Sequence, residues 1–235
     1  ASPVTSAPPV PVYQPPLRGA PGGRVGGGTR GVNAGTNGAK SPPLVLSVLA
    51  PDHTGLTVSD QPSLYWFISS KAPAPVEMTL VDPRATKPVL EIRLAAPVEA
   101  GVHRIRLADH GVRLEPGVAY RWYVAVVPDP ARRARDHLAG GAIERIDAAD
   151  RLRASLAEAD SMETPALYAQ AGLWYDAITA LSERIQPRPR DAWAGRLGEA
   201  VAGHDRTVRA NASAAGCAEL PQIAAIVRRR SLAHG

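Results

Sequence analysis

The stretch Leu114–Val124, LEPGVAYRWYV, decides how the rest of the chain is read. Pro116 and Gly117 punctuate it as a turn, and the residues after them alternate apolar and polar, the period of a strand with one buried face. Tyr120 falls just inside that strand. In immunoglobulin-like sandwiches a tyrosine at this spacing bonds its hydroxyl back to the backbone upstream, forming a tyrosine corner. Alternation sends Trp122, like Trp66 earlier in the chain, to a buried face as a core tryptophan.

Working outward, short apolar or alternating runs recur every ten or so residues: LVLSVLA (44–50), PSLYWFIS (62–69), VEMTLVD (76–82), VLEIRLA (89–95), VHRIRL (102–107), AYRWYVAVV (119–127) and GAIERID (141–147). Each reads as a strand. About seven strands at this spacing predict an immunoglobulin-like β-sandwich over residues 44–147.

The flanks obey other rules. Residues 1–43 have no apolar periodicity, being first Pro-rich and then Gly-rich, so they predict an extended arm. From residue 148 to 235 β-branched residues thin out, and apolar residues at helical spacing predict a small α-helical subdomain. Its helical stretches are DAADRLRASLAEA (147–159), TPALYAQAGLWYDAITALSERI (164–185), RDAWAGRLGEAVAG (190–203) and ELPQIAAIVRR (219–229). Thr164-Pro165 is a helix start, and Pro187 with Pro189 is a stop. Ala171 and Gly172 fall between two short helices, with Tyr175 and Ala177 in the second, as in one tetratricopeptide-like hairpin. A solenoid needs about three such units.

Composition narrows the function. The chain has 235 residues, 45% of them apolar, a net charge of +5 and a single cysteine, Cys217, so no intrachain disulfide and no cysteine metal cluster can form. No apolar run reaches the roughly 20 residues of a transmembrane helix. The opening residues ASPVTSAPPV resemble the small residues typical just after a signal-peptidase cut, so the expectation is a periplasmic or extracellular protein, with a fragment of a longer chain as the competing explanation.

RGAPGGRVGGGTRG (18–31) superficially suggests a phosphate loop or a nucleic-acid segment. A phosphate loop needs a strand before the glycines and a helix after them, and neither is predicted here. Single-strand binders interleave aromatics for stacking, and the nearest is Tyr13. The remaining reading is a strap: glycines let the backbone lie close to a protein surface, while Arg18, Arg24 and Arg30, with Thr29, anchor it to acceptors such as Asp129, Asp136 or Glu144.

No catalytic constellation emerges. The six histidines have no one-turn helical metal pair, and there is no nucleophile elbow, so no catalytic residue, metal ligand or cofactor is assigned. The charged loop PDPARRARDHLAGGAIER (128–145) is the best candidate surface, carrying Asp129, Arg133, Asp136, Glu144 and Arg145. Trp174 and Tyr175 form a possible aromatic platform for a glycan or small molecule.

The chain resembles the bacterial family known as domain of unknown function 928. The resemblance is carried by PPLRGAPGGRVGGGTRG (15–31), LAPDHTGLTVSDQPSLYWFI (49–68), LEPGVAYRWYVAVVPDPARRARD (114–136) with GAIERI (141–146), and YAQAGLWYDAITALSE (168–183). It implies an exported protein and no particular reaction. It also implies that relatives often have one cysteine after the Gly-Thr-Arg-Gly element and another before the Asp-Pro. Here Val32–Gly38 and Val127–Pro128 contain none.

The combined expectation is a non-enzymatic protein that interacts with other protein subunits, including copies of itself through the N-terminal arm, with no nucleic acid and no membrane span. A small-molecule or glycan module is the alternative, and a cryptic hydrolase a second one.

Overall fold

The computed structural model describes residues 13–16 and 44–185. Among the described residues the protein is mainly β, with eight strands in two sheets followed by three helices. Among the described residues, 44–146 form one compact unit, and 13–16 with 147–185 form the other.

The strands of the first unit are β1 (Leu46–Val48), β2 (Gly55–Thr57), β3 (Ser63–Ile68), β4 (Val76–Val81), β5 (Leu90–Leu94), β6 (Gly101–Arg106), β7 (Ala119–Val126) and β8 (His137–Arg145). The smaller sheet has the order β1-β3-β6 and the larger the order β2-β8-β7-β4-β5. Every pairing is antiparallel except β2 with β8. The alternation read from the sequence becomes the core. Tyr120, Trp122 and Val124 of β7 are buried, as are Val76, Met78 and Leu80 of β4 on the same face. In β3 all six residues are buried, Trp66 among them. Burial of each such side chain contributes about 1.5–3 kcal/mol.

Two strands depart from the sequence expectation. β2 is an eighth strand of only three residues, too short to show a period. It pairs in parallel with the end of β8, Leu56 opposite Glu144. β8 begins at His137, well before the expected Gly141, because glycines masked its strand character. A Cβ on Gly141 would lie 2.5 Å from that of Ala50, and one on Gly140 would lie 2.5 Å from the Tyr123 ring. The two glycines are therefore sites of close approach inside a continuous strand.

The corner between β6 and β7 is built as its residues suggest. The Tyr120 hydroxyl accepts a hydrogen bond from the backbone N–H of Glu115 at 3.2 Å. Gly117 takes a positive φ of 73°, and its N–H donates to the carbonyl of Arg145 at 2.8 Å. The Arg145 guanidinium returns a bond to the carbonyl of Leu114 at 3.0 Å, so the corner is tied to the end of β8.

The second unit contains α1 (Asp150–Glu158), α2 (Thr164–Gln170) and α3 (Trp174–Ile185). Asp160 prepares the start of α2 by accepting the N–H groups of Met162 and Glu163 at 2.7 and 2.9 Å, and Pro165 occupies the first turn. Ala166 and Ala169 of α2 and Ala177, Ile178 and Leu181 of α3 are buried, the small residues allowing close helix contact. Among the described residues no helix is long and apolar enough to cross a membrane. The expected helices over 190–203 and 219–229 lie outside the described residues.

Candidate functional site

The most specific recognition geometry is in the helical unit, where Tyr13–Pro16 lies across the turn between α2 and α3. The backbone N–H of Gln14 donates to the carbonyl of Ala169 at 3.0 Å. The Tyr13 hydroxyl reaches the carbonyl of Gly172 at 3.4 Å. The rings of Tyr13 and Trp174 meet nearly perpendicular, at 84° with centroids 4.9 Å apart, the edge-to-face arrangement favoured by ring quadrupoles. Tyr13 is 8% exposed although it comes from a Pro-rich stretch.

Gly172 makes this contact possible in two ways. Its φ of 75° is the left-handed turn conformation that favours glycine. A Cβ there would lie 2.9 Å from the carbonyl oxygen of Gln14 and 3.3 Å from Cδ of Pro16, so the docked backbone occupies the space a side chain would need. The Ala169 carbonyl accepts both the Gln14 N–H and, at 3.1 Å, the Gly172 N–H, so the turn and the docked segment share one acceptor.

This arrangement corrects one sequence reading. Trp174 and Tyr175, the candidate stacking platform, are 5% and 1% exposed. Both are core residues, and the Trp174 ring is covered in part by Tyr13, so neither presents an open face to a sugar or small molecule. Packing prevails because they open α3 directly after the tight turn.

The charged loop is shorter than expected. Only residues 127–136 connect β7 to β8, closed by a single 3-10 turn over Arg133–Arg135, while Glu144 and Arg145 belong to β8. Asp129 caps the backbone N–H of Ala131 at 2.9 Å and lies 3.6 Å from Arg132. Arg133 bridges Asp136 at 2.9 Å and Glu77 of β4 at 2.7 Å. Burial raises the Asp136 carboxyl above the usual carboxylate range against the pull of Arg133, and its Oδ1 has no hydrogen-bond partner among the described residues. Glu77 in turn raises the Arg133 guanidinium. The charges of this loop thus largely satisfy one another and β4. The proposed strap anchors Arg18, Arg24, Thr29 and Arg30 lie outside the described residues.

A second charged cluster was not foreseen. Asp82 accepts from both the backbone N–H and the guanidinium of Arg84, the latter at 2.6 Å, and the same guanidinium reaches Glu115 at 2.8 Å. Arg84 holds the Asp82 carboxyl below its usual range. Tyr13 and Gln14 were also missed as binding residues. The available signal was a lone aromatic within a proline-rich run.

The family model described as Domain of Unknown Function (DUF928) matches residues 25–196. The match spans both sheets and all three helices and begins after the docked segment. None of the curated proteins matches the chain.

Proposed function

Because the chain belongs to the family Domain of Unknown Function (DUF928), whose match covers most of its length and prescribes no reaction, we propose that it acts by binding protein. On this reading it is an exported, non-enzymatic structural subunit of an envelope or extracellular assembly. The observation that carries it is the docking of Tyr13–Pro16 on the α2–α3 turn. That turn, in a tetratricopeptide-like hairpin, holds an extended peptide by a backbone bond to the Ala169 carbonyl, an aromatic contact and the missing Cβ of Gly172. None of these depends on the peptide belonging to the same chain. Exchange of such a segment between copies forms links at little cost, because the segment meets the same partners on either copy.

The scaffold fits this role. The strand order, the parallel β2–β8 pair and the Tyr120 corner support an immunoglobulin-like sandwich, in which Trp122 stands two residues after the corner tyrosine, where antibody domains place their second cysteine. Such domains commonly present binding segments on a rigid frame.

Deletion of residues 1–31 tests the reading. The truncated chain is expected to keep its β-rich circular dichroism spectrum and to lose arm-mediated higher-order assembly in sedimentation. Unchanged higher-order assembly of the truncated chain would refute it.

A further inference from the structure

The larger sheet ends in β5, which among the described residues pairs on one side only, with β4. Such an edge offers a row of backbone donors and acceptors to another strand. Its sequence, Leu90-Glu91-Ile92-Arg93-Leu94, is a palindrome in hydrophobicity, with opposite charges at the mirrored positions. We propose that β5 pairs antiparallel with β5 of a second copy of this chain, with the two-fold axis at Ile92. That register sets Leu90 against Leu94, Glu91 against Arg93 and Ile92 against itself, each heterotypic pair occurring twice as an isologous interface requires.

Two further observations fit this occupant. In β4, Val76, Met78 and Leu80 are 1%, 0% and 0% exposed, yet their cross-strand partners Leu94, Ile92 and Leu90 on the same face are only half-buried. The core therefore stops at an apolar row that a second β5 would continue. On the other face Glu91 and Arg93 are exposed, and Arg93 lies 3.6 Å from Glu77 across β4. A second copy extends that row to Glu77, Arg93 and the copy's Glu91, with charges alternating across the sheet. An open depression of about 250 Å³ over the β4–β5 pair is lined by Glu77, Met78, Thr79, Glu91, Ile92 and Arg93.

The edge of the smaller sheet provides the contrast. β6 also pairs on one side only among the described residues, but it carries His103, Arg104 and Arg106 and no acid. Self-pairing there brings basic side chains together with no acid to meet them, a standard protection of an edge. Around β5, Pro88 and Pro97 confine pairing to the short stretch between them.

Charge-reversal variants test the pairing, with sedimentation equilibrium as the readout. The parent chain is expected to be dimeric at about 100 µM, the upper part of the range of weak protein association. Glu91→Arg alone and Arg93→Glu alone each place like charges opposite one another twice, so each is expected to weaken the dimer roughly tenfold or more. An equimolar mixture of the two restores complementarity and is expected to give a heterodimer. A monomeric parent, single variants that dimerise as tightly as the parent, or a mixture no tighter than either variant would each overturn the proposal. Arg93→Glu also faces Glu77 within its own chain, so a second measurement leaves the charges intact. In a Cys217→Ser background, Ile92→Cys is expected to form a covalent dimer under mild oxidation, while Val89→Cys, whose partner in this register is Ala95, stays monomeric. Equal crosslinking of the two, or none at Ile92→Cys, would overturn it. This interface is independent of the arm, so the chain lacking residues 1–31 should retain it, and the two assembly tests read separately.

Discussion

Tyr13 and Trp174, from opposite ends of the described sequence, stand ring to ring at 84° with centroids 4.9 Å apart. The contact joins a proline-rich segment to the first residue of α3. Replacing Tyr13 by Ala removes a buried ring and its edge-to-face partner, an expected cost of about 3 kcal/mol to the helical unit. A double-mutant cycle with Trp174→Leu, read by denaturant unfolding, should return a coupling of about 0.5–1.5 kcal/mol. Additive effects would remove the ring pair as a source of docking energy.

Gly172 and Gly111 separate conformation from contact. Both have positive φ, 75° and 67°, but a Cβ on Gly111 meets nothing within 4 Å, whereas one on Gly172 meets Gln14. Gly111→Ala should therefore cost about 1–2 kcal/mol from its left-handed backbone alone. Gly172→Ala should cost at least about 1 kcal/mol more and expose Tyr13–Pro16 to limited proteolysis. Equal melting shifts and unchanged proteolysis would show that the docked segment yields freely.

The Tyr120 corner has a direct test. Tyr120→Phe keeps the ring and deletes the acceptor of the Glu115 N–H, so unfolding free energy should fall by about 1 kcal/mol. A loss near zero in chemical denaturation would mean that water replaces the hydroxyl without penalty.

Stability should also depend on His103. Its ring stacks on Trp66 with centroids 4.3 Å apart, and its Nε2 lies 2.8 Å from the carbonyl oxygen of Glu99. Burial lowers its pKa below the ordinary histidine value, with the Glu99 carbonyl opposing. The unfolded chain then binds more protons than the fold just below about pH 6.5, so this contribution is complete above that pH and is lost as pH falls through the lowered value. Melting temperature should drop as pH falls below about 6.5 in the parent and drop less in His103→Phe. Asp136 acts oppositely: its raised carboxyl makes the fold the better proton binder, and the resulting gain appears near the acid range of carboxylates. Parallel melting profiles of parent and His103→Phe would exclude His103 as the source.

Much of the β-unit was legible because its strands alternate. LEPGVAYRWYV located the corner, and VEMTLVD and VLEIRLA located neighbouring strands from their period alone. β2 was not legible, since three residues carry no period and its place depends on β8, far along the chain. The start of β8 was hidden by Gly140 and Gly141, whose reason is the distant Tyr123 and Ala50. The candidate site was less legible for the same cause. Trp174 and Tyr175 were legible as aromatic, but the burial of Trp174 partly reflects a tyrosine in a segment with no periodicity. Asp136, one of three candidate acceptors for the arm arginines with Asp129 and Glu144, pairs with Arg133, three residues away in its own loop, while the arm arginines themselves lie outside the described residues.

The docking of Tyr13 on α3 also has a consequence for the order of synthesis. Tyr13 leaves the ribosome well before Trp174, and at about 5–20 residues per second the delay is roughly ten to thirty seconds. During that interval the β-unit can fold while its leading segment has no hairpin to hold it. When α3 emerges it thus finds its ligand already waiting, and in a crowded polysome the nearest waiting tyrosine can belong to a neighbouring nascent chain.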